Sequence, residues 1–199
     1  MNNIQGVKSY NVEQSLNRRI LIDCITKHLE FYGYKYIEVP TLINKTLIEK
    51  SLEGTENKAF IIDNFCLMPE VTNYINDLGK LAIGADKIYY VAKCFRNEST
   101  TDSERLREFT QIGVEYLGDN SLDCKKVVRK DAILLMNKLF GSTGWELKDG
   151  VPRGLNLYDS DKTFEVHSSN RKQLLGGGPY KGGAGWALGL ERLMIALNN

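Results

Sequence analysis

Residues 87–118 read KIYYVAKCFRNESTTDSERLREFTQIGVEYLG. The first part, through Glu98, has the β-branched and aromatic content of a buried strand, and FTQIGVEYLG reads as a second of similar length. The charged loop STTDSERLRE between them predicts an antiparallel pair with arginines at its tip. Arg96, Arg105 and Arg107 can converge on phosphates from one such hairpin, because the guanidinium fork grips phosphate oxygens in pairs. Phe109 offers a ring on which a base can stack. The same residues also fit a solvated hairpin in which the arginines pair with Glu98, Glu104 and Glu108, since surface ion pairs of that kind are common and weak.

Working outward, Val12 to about Phe31 places Leu16, Ile20, Leu21, Cys24, Ile25 and Leu29 at helical spacing and predicts an amphipathic helix laid on a core, ending at Gly33. Tyr34–Val39 alternates and stops at Pro40, as a strand entering a turn does. AFIID and FCLMPE predict two strands joined by a tight turn at Asp63 and Asn64, and a helix follows from Thr72. A second long helix is expected over Asp123–Phe140, with Val128, Ala132, Leu135 and Leu139 on one side. RGLNLYDSDKTFEV reads as strand, LLGGGPYKGGAGWALG as a glycine-rich stretch and LERLMIAL as a short helix. Helices and strands mix without strict β-α-β order, so the expected class is α+β, an antiparallel sheet flanked by helices.

Composition narrows the function. The chain has 199 residues, 42% hydrophobic, which suits one domain over 1–199. Lys plus Arg (26) nearly cancels Asp plus Glu (25), so bulk charge does not mark a nucleic-acid binder and any RNA contact must be local. Cys24, Cys66, Cys94 and Cys124 are far apart with only His28 and His167 to assist, which argues against a zinc site and leaves any other metal site undefined. Two histidines away from any Ser or Cys pattern give a hydrolase triad little support. No apolar signal core and no run of about 18 apolar residues occurs, so the expectation is a cytoplasmic chain with reduced thiols and no membrane partner. The glycine-rich stretch fits neither a GxxxxGK[ST] phosphate loop nor a dinucleotide fingerprint.

Three segments in order resemble the motifs of class II aminoacyl-tRNA synthetases. FYGYKYIEVPTL resembles motif 1, CFRNESTTDSERLREFTQIGVEYLG motif 2, and GAGWALGLERLMIAL motif 3 with its Gly-x-Glu-Arg. Within the class, LMPEVT resembles the RPEGT-type turn, RGLNLYDSDKTFEV and LLGGGPY resemble the two histidine signatures of histidyl-tRNA synthetases, and the spacing Gln111-x-x-x-Glu115 fits the same pattern. The resemblance covers nearly the whole chain. It implies a catalytic core that activates an amino acid, histidine or an analogue, with ATP and Mg2+ to an aminoacyl-adenylate. It also implies a homodimer through motif 1, with Phe31, Tyr32, Tyr34 and Tyr36 partly uncovered in a monomer.

By the same resemblance Arg96 holds the α-phosphate, Arg105 and Arg192 hold the outer phosphates, and Phe109 stacks on adenine beside Glu98. Arg153 aligns the reacting carboxylate with the α-phosphate. Glu70, Thr72 and Gln111 receive the α-ammonium group, while Glu115, Tyr158 and Tyr180 surround the side chain. The sequence departs from the family pattern at Met68, Asn156, Leu157, Pro179 and Lys181, which touches the side-chain pocket more than the phosphate site. The short segment GSTGWELKDGVP before Arg153 and the end of the chain after the motif 3 helix lead to the expectation that the insertion and anticodon-binding domains are missing. The acyl acceptor is then a tRNA acceptor stem, a carrier protein or another molecule. Two other expectations stand beside this one: a non-catalytic relative resembling the regulatory subunit of ATP phosphoribosyltransferase, and the catalytic chain of a split synthetase.

Overall fold

The computed structural model describes residues 4–49, 58–152 and 157–198. In chain order the elements are α1 (Val12–Phe31), β1 (Lys35–Tyr36), β2 (Leu42–Asn44), α2 (Thr46–Glu49), β3 (Ile61–Ile62), β4 (Phe65–Leu67), α3 (Thr72–Ile83), β5 (Lys87–Phe95) and β6 (Glu108–Leu117). Then follow α4 (Ser121–Phe140), β7 (Trp145–Asp149), a 3-10 turn (Ser160–Lys162), β8 (Phe164–Ser168), β9 (Gln173–Tyr180), β10 (Gly183–Gly189) and α5 (Leu190–Leu197). A seven-stranded sheet runs β1-β5-β6-β10-β9-β8-β7, and a small one runs β2-β4-β3. Every pairing is antiparallel except that of β1 with β5, which is parallel. Among the described residues no helix is long and apolar enough to cross a membrane.

Strand alternation divides the large sheet into two unlike faces. Tyr89, Ile112, Val114, Ala184, Trp186 and Leu188 point to one side, where Ile25 and Leu29 of α1, Val128, Ala132 and Leu135 of α4 and Leu193 of α5 close the main core. The other side carries Ile88, Tyr90, Ala92, Cys94, Leu117 and Tyr180, covered in part by Ile43 and Cys66 of the small sheet and Ile75 of α3. There the register sets Gly113, Ala187 and Gly176 in one row and Gly185 and Gly178 in the next, so the middle of this face is a floor with almost no side chains.

Several expectations change in three dimensions. The glycine-rich stretch is the β9–β10 hairpin, whose small residues line that floor. The strand expected over Tyr34–Val39 shortens to β1, and Tyr34 is buried rather than partly uncovered, because its hydroxyl donates to Asp131 Oδ2 at 2.7 Å. The segment joining α4 to Arg153 adds β7, pinned to α4 by Arg129, whose guanidinium donates to both Asp149 oxygens at 3.1 and 2.7 Å. Of the strand expected from Arg153, residues 153–156 lie outside the described residues, Tyr158 makes one bridge to Tyr180, and regular strand begins only at Phe164.

Helix α1 is capped as its sequence allows, with Asn11 and Gln14 forming a reciprocal capping box. It carries two apolar stripes rather than one. At about 100° per residue, Ile25 and Leu29 share a stripe with Arg18 and are buried, whereas Val12, Leu16, Ile20 and Phe31 fall on the opposite side, 54% to 88% exposed. Leu16 and Ile20 therefore do not join the core face that the helical spacing predicts for them.

Candidate active site

The glycine floor opens at one end into a cleft lined by Arg96, Arg105, Phe109, Gln111, Gly176, Ala187, Gly189 and Arg192. Arg96 directly follows β5, and its Nε donates to Pro69 O at 3.1 Å while its guanidinium sits 5.1 Å over the Phe109 ring. From the loop, Arg105 Nε donates to Glu98 Oε2 at 2.9 Å. Arg192, on the first turns of α5, donates to Glu104 O at 3.3 Å and Gln173 O at 3.4 Å. A guanidinium has five N–H groups, so each of these anchors orients the side chain and leaves further donors toward the cleft. Arg107 turns away, bonding Glu98 O and Gln5 O, and does not join the other arginines there.

Behind the cleft lies a buried brace. Arg18 of α1 reaches Glu191 Oε1 at 2.9 Å and Thr110 Oγ1 at 2.8 Å, while Glu191 Oε2 accepts the Thr110 N–H at 2.9 Å. Glu191 adjoins Arg192, and Thr110 stands between Phe109 and Gln111, so one cluster links α1 to both walls of the cleft.

At the other end of the floor a cluster of polar side chains bonds to itself. Glu115 is fully buried, its Oε1 accepting from Thr72 Oγ1 and its Oε2 from Tyr180 OH, both at 2.8 Å. Tyr158 donates to Thr72 Oγ1 at 3.3 Å, with its ring edge-on to Tyr180 at 6.2 Å. Burial pushes the Glu115 carboxyl up to about 8, against the two hydroxyls, which lower it, and with the nearby Glu70 charge, which raises it. Gly185 makes this geometry possible: a Cβ there would stand 1.8 Å from Glu115 Oε2. Glu70 spans the N-terminus of α3, accepting from the N–H groups of Thr72 and Asn73 at 3.0 Å each, as an acidic cap does. Gln111 lies on the sheet face between Phe109 and Glu115 and accepts from Cys94 Sγ at 3.4 Å, so it stands between the cleft and this cluster.

The structure thus brings together Arg96, Glu98, Arg105, Phe109, Gln111 and Arg192 at the cleft, and Thr72, Glu115, Tyr158 and Tyr180 in one buried cluster, with Glu70 beside Thr72. Arg153 lies outside the described residues. Sequence reasoning missed the brace of Arg18 with Glu191.

A family model described as tRNA synthetases class II (D, K and N) matches residues 7–165. The chain belongs to that family. A histidine–tRNA ligase of Mycoplasmopsis synoviae is 29% identical over 128 residues, 58% of this chain and 26% of that protein. The chain spans less than a third of the length of this and a second such relative. Among solved structures, apo histidyl-tRNA synthetase of S. aureus matches 100% of this chain and 70% of its own at a TM-score of 0.72 and 21% identity. A Bacillus halodurans ATP phosphoribosyltransferase regulatory subunit/histidyl-tRNA synthetase matches 100% of this chain and 83% of its own at a TM-score of 0.77 and 16% identity. At such identities the likeness is one of fold, and it confirms the class II synthetase α+β architecture expected from the three motifs.

Proposed function

We propose that this class II synthetase core activates an amino acid, histidine or a close analogue, with Mg–ATP to form an aminoacyl-adenylate. The observation that carries the reading is the convergence of Arg96, Arg105 and Arg192 on one cleft whose floor leads past Gln111 to the buried Glu115. The substrate carboxylate attacks the α-phosphorus, a C–O–P linkage forms, the bond to the β-phosphate oxygen breaks, and pyrophosphate leaves. Such a step needs charge spread and in-line placement more than proton transfer. Arg96 would hold the α-phosphate, Arg105 and Arg192 the outer phosphates, and Phe109 the adenine beside Glu98. Arg153 would align the carboxylate. Glu70, Thr72 and Gln111 would take the α-ammonium group, and Glu115, Tyr158 and Tyr180 the side chain. Glu104, which lines the cleft and lies 3.7 Å from Lys172 Nζ, would offer one carboxylate to magnesium carried on the ATP phosphates, where the ion would offset their charge. The exposed stripe of α1 supports a homodimer, the arrangement in which those side chains leave water. The activated acyl group then passes to an acceptor such as a tRNA acceptor stem or a carrier protein.

A regulatory reading resembling the ATP phosphoribosyltransferase subunit draws support from the Bacillus halodurans fold likeness. It gives no reason for three arginines gathered at one cleft. Amino-acid-dependent exchange of labelled pyrophosphate into ATP, run across the twenty amino acids, separates the two. Activation predicts exchange with one amino acid and a loss of about 100-fold or more in Arg96→Ala and Arg192→Ala. Exchange with none, or full exchange in either variant, refutes the catalytic reading.

A further inference from the structure

Arg107 is the hairpin arginine that the proposed ATP site leaves unused, and its contacts run the other way, toward the first residues of the chain. Ile4 to Val7 make a tight turn: the Val7 N–H donates to Ile4 O at 3.1 Å, and Gly6 takes a φ of +81°. The Gly6 carbonyl accepts the N–H groups of both Arg107, at 2.7 Å, and Glu108, at 3.3 Å. A Cβ on Gly6 would stand 2.6 Å from Thr101 Cγ2 and 3.0 Å from Arg107 N, in a backbone conformation that L side chains rarely adopt, so a side chain there pushes the turn off the loop. Two residues on, Lys8 Nζ donates to Ser103 O at 2.6 Å. The segment 4–8 thus grips the arginine loop both at its base and near its tip.

Arg107 carries that grip inward. Its guanidinium donates to Gln5 O at 3.3 Å on one side and, through Nε, to Glu98 O at 3.0 Å on the other. Glu98 is buried, and its carboxylate holds Arg105 Nε at 2.9 Å. The Arg107 carbonyl accepts the Arg96 N–H at 2.8 Å, one step beyond the last β5–β6 pair. One residue therefore fixes the backbone of Arg96 and of Glu98, and through Glu98 the side chain of Arg105.

We infer that Arg107 is a positioning residue, clamped by the turn at Gly6, that sets Arg96 and Arg105 in place for ATP before the nucleotide arrives. This rests on the ATP site proposed above and adds to it a supporting segment, residues 4–8, that is not part of the cleft lining. Donors held in place beforehand do not have to be ordered when the phosphates bind, and a small displacement of such groups is costly. Arg107 acts without touching a phosphate.

The experiment compares wild type with Arg107→Met, Gly6→Ala and the double variant, each in the full chain. Calorimetric titration with Mg–ATP gives its Kd, pyrophosphate exchange gives the KM of the activated amino acid, and melting without ligands gives stability. The expected result is a Kd for Mg–ATP raised about 10-fold or more in Arg107→Met, and a rise in Gly6→Ala, whose added methyl cannot itself replace a phosphate ligand. The double variant binds no more weakly than Arg107→Met alone, since both changes act along one path. The amino-acid KM is unchanged, and every variant is folded at the assay temperature. An unchanged Kd in Arg107→Met overturns the inference. So does a loss in Arg107→Met with none in Gly6→Ala, which marks Arg107 as a direct phosphate ligand, and so do losses that simply add in the double variant. A lowered melting temperature with ATP and amino acid weakened alike also overturns it, as the mark of general damage. The expected Kd pattern without exchange for any amino acid upholds the positioning role and removes activation, whereas a wild type that binds no ATP removes both.

Discussion

Replacing Arg18 with methionine keeps the length of the side chain and removes the cation that joins α1 to Glu191 and Thr110. Both partners of the ion pair are out of water, with side chains 10% and 4% exposed, so solvent does not screen the loss. Breaking one side of a buried pair strands the other charge, at about 3–5 kcal/mol, and the orphaned Thr110 hydroxyl adds about 1 kcal/mol. For a chain of this size each kcal/mol moves Tm by about 2–4 °C, so the expected fall is about 8–24 °C. Urea denaturation at constant m-value checks it. The double variant Arg18→Met with Glu191→Gln removes the stranded charge yet keeps an acceptor for the Thr110 N–H, and it should recover about half of the loss or more. A loss under about 1 kcal/mol for Arg18→Met, or losses in the two single variants that simply add, would refute the brace. Because Glu191 adjoins Arg192, the KM for ATP should rise in Arg18→Met even well below its melting temperature.

Two further outcomes follow from the same geometry. The Glu115 carboxyl, raised from 4.5 to about 8 by burial, holds its proton more tightly folded than unfolded, so its contribution to stability is full below about 4.5 and is lost as pH rises toward 8. Glu115→Gln cannot ionise; its Tm relative to wild type should therefore climb between pH 5 and 8 and level off above, and parallel curves would contradict the buried, raised carboxyl. The apolar stripe of α1 predicts a dimer at micromolar concentration by sedimentation, converted to monomer by Leu16→Glu with Ile20→Glu. A wild-type monomer would rule that surface out as a self-interface.

Much of the molecule is written locally. The long runs at Val12–Phe31 and Ser121–Phe140 carry enough helical periodicity to form where expected, and the pair flanking the arginine loop is a hairpin on composition alone. The order of three motifs was enough to place the chain in its family. Local sequence left three things open, each for a physical reason. It could not tell which apolar stripe of α1 faces inward, because residues on opposite sides of a helix carry the same hydrophobicity and only contact with β5, α4 and the Arg18 brace separates them. Nor could it show that the glycines of β9 and β10 form a floor, since their use depends on register with Gly113 and Glu115 across three strands. The pairing of Arg18 with Glu191, 173 residues away in the chain, is likewise a product of tertiary packing. Periodicity and motif chemistry act over a few residues and were readable; burial, pairing and the raised Glu115 carboxyl exist only once distant strands and helices exclude water together.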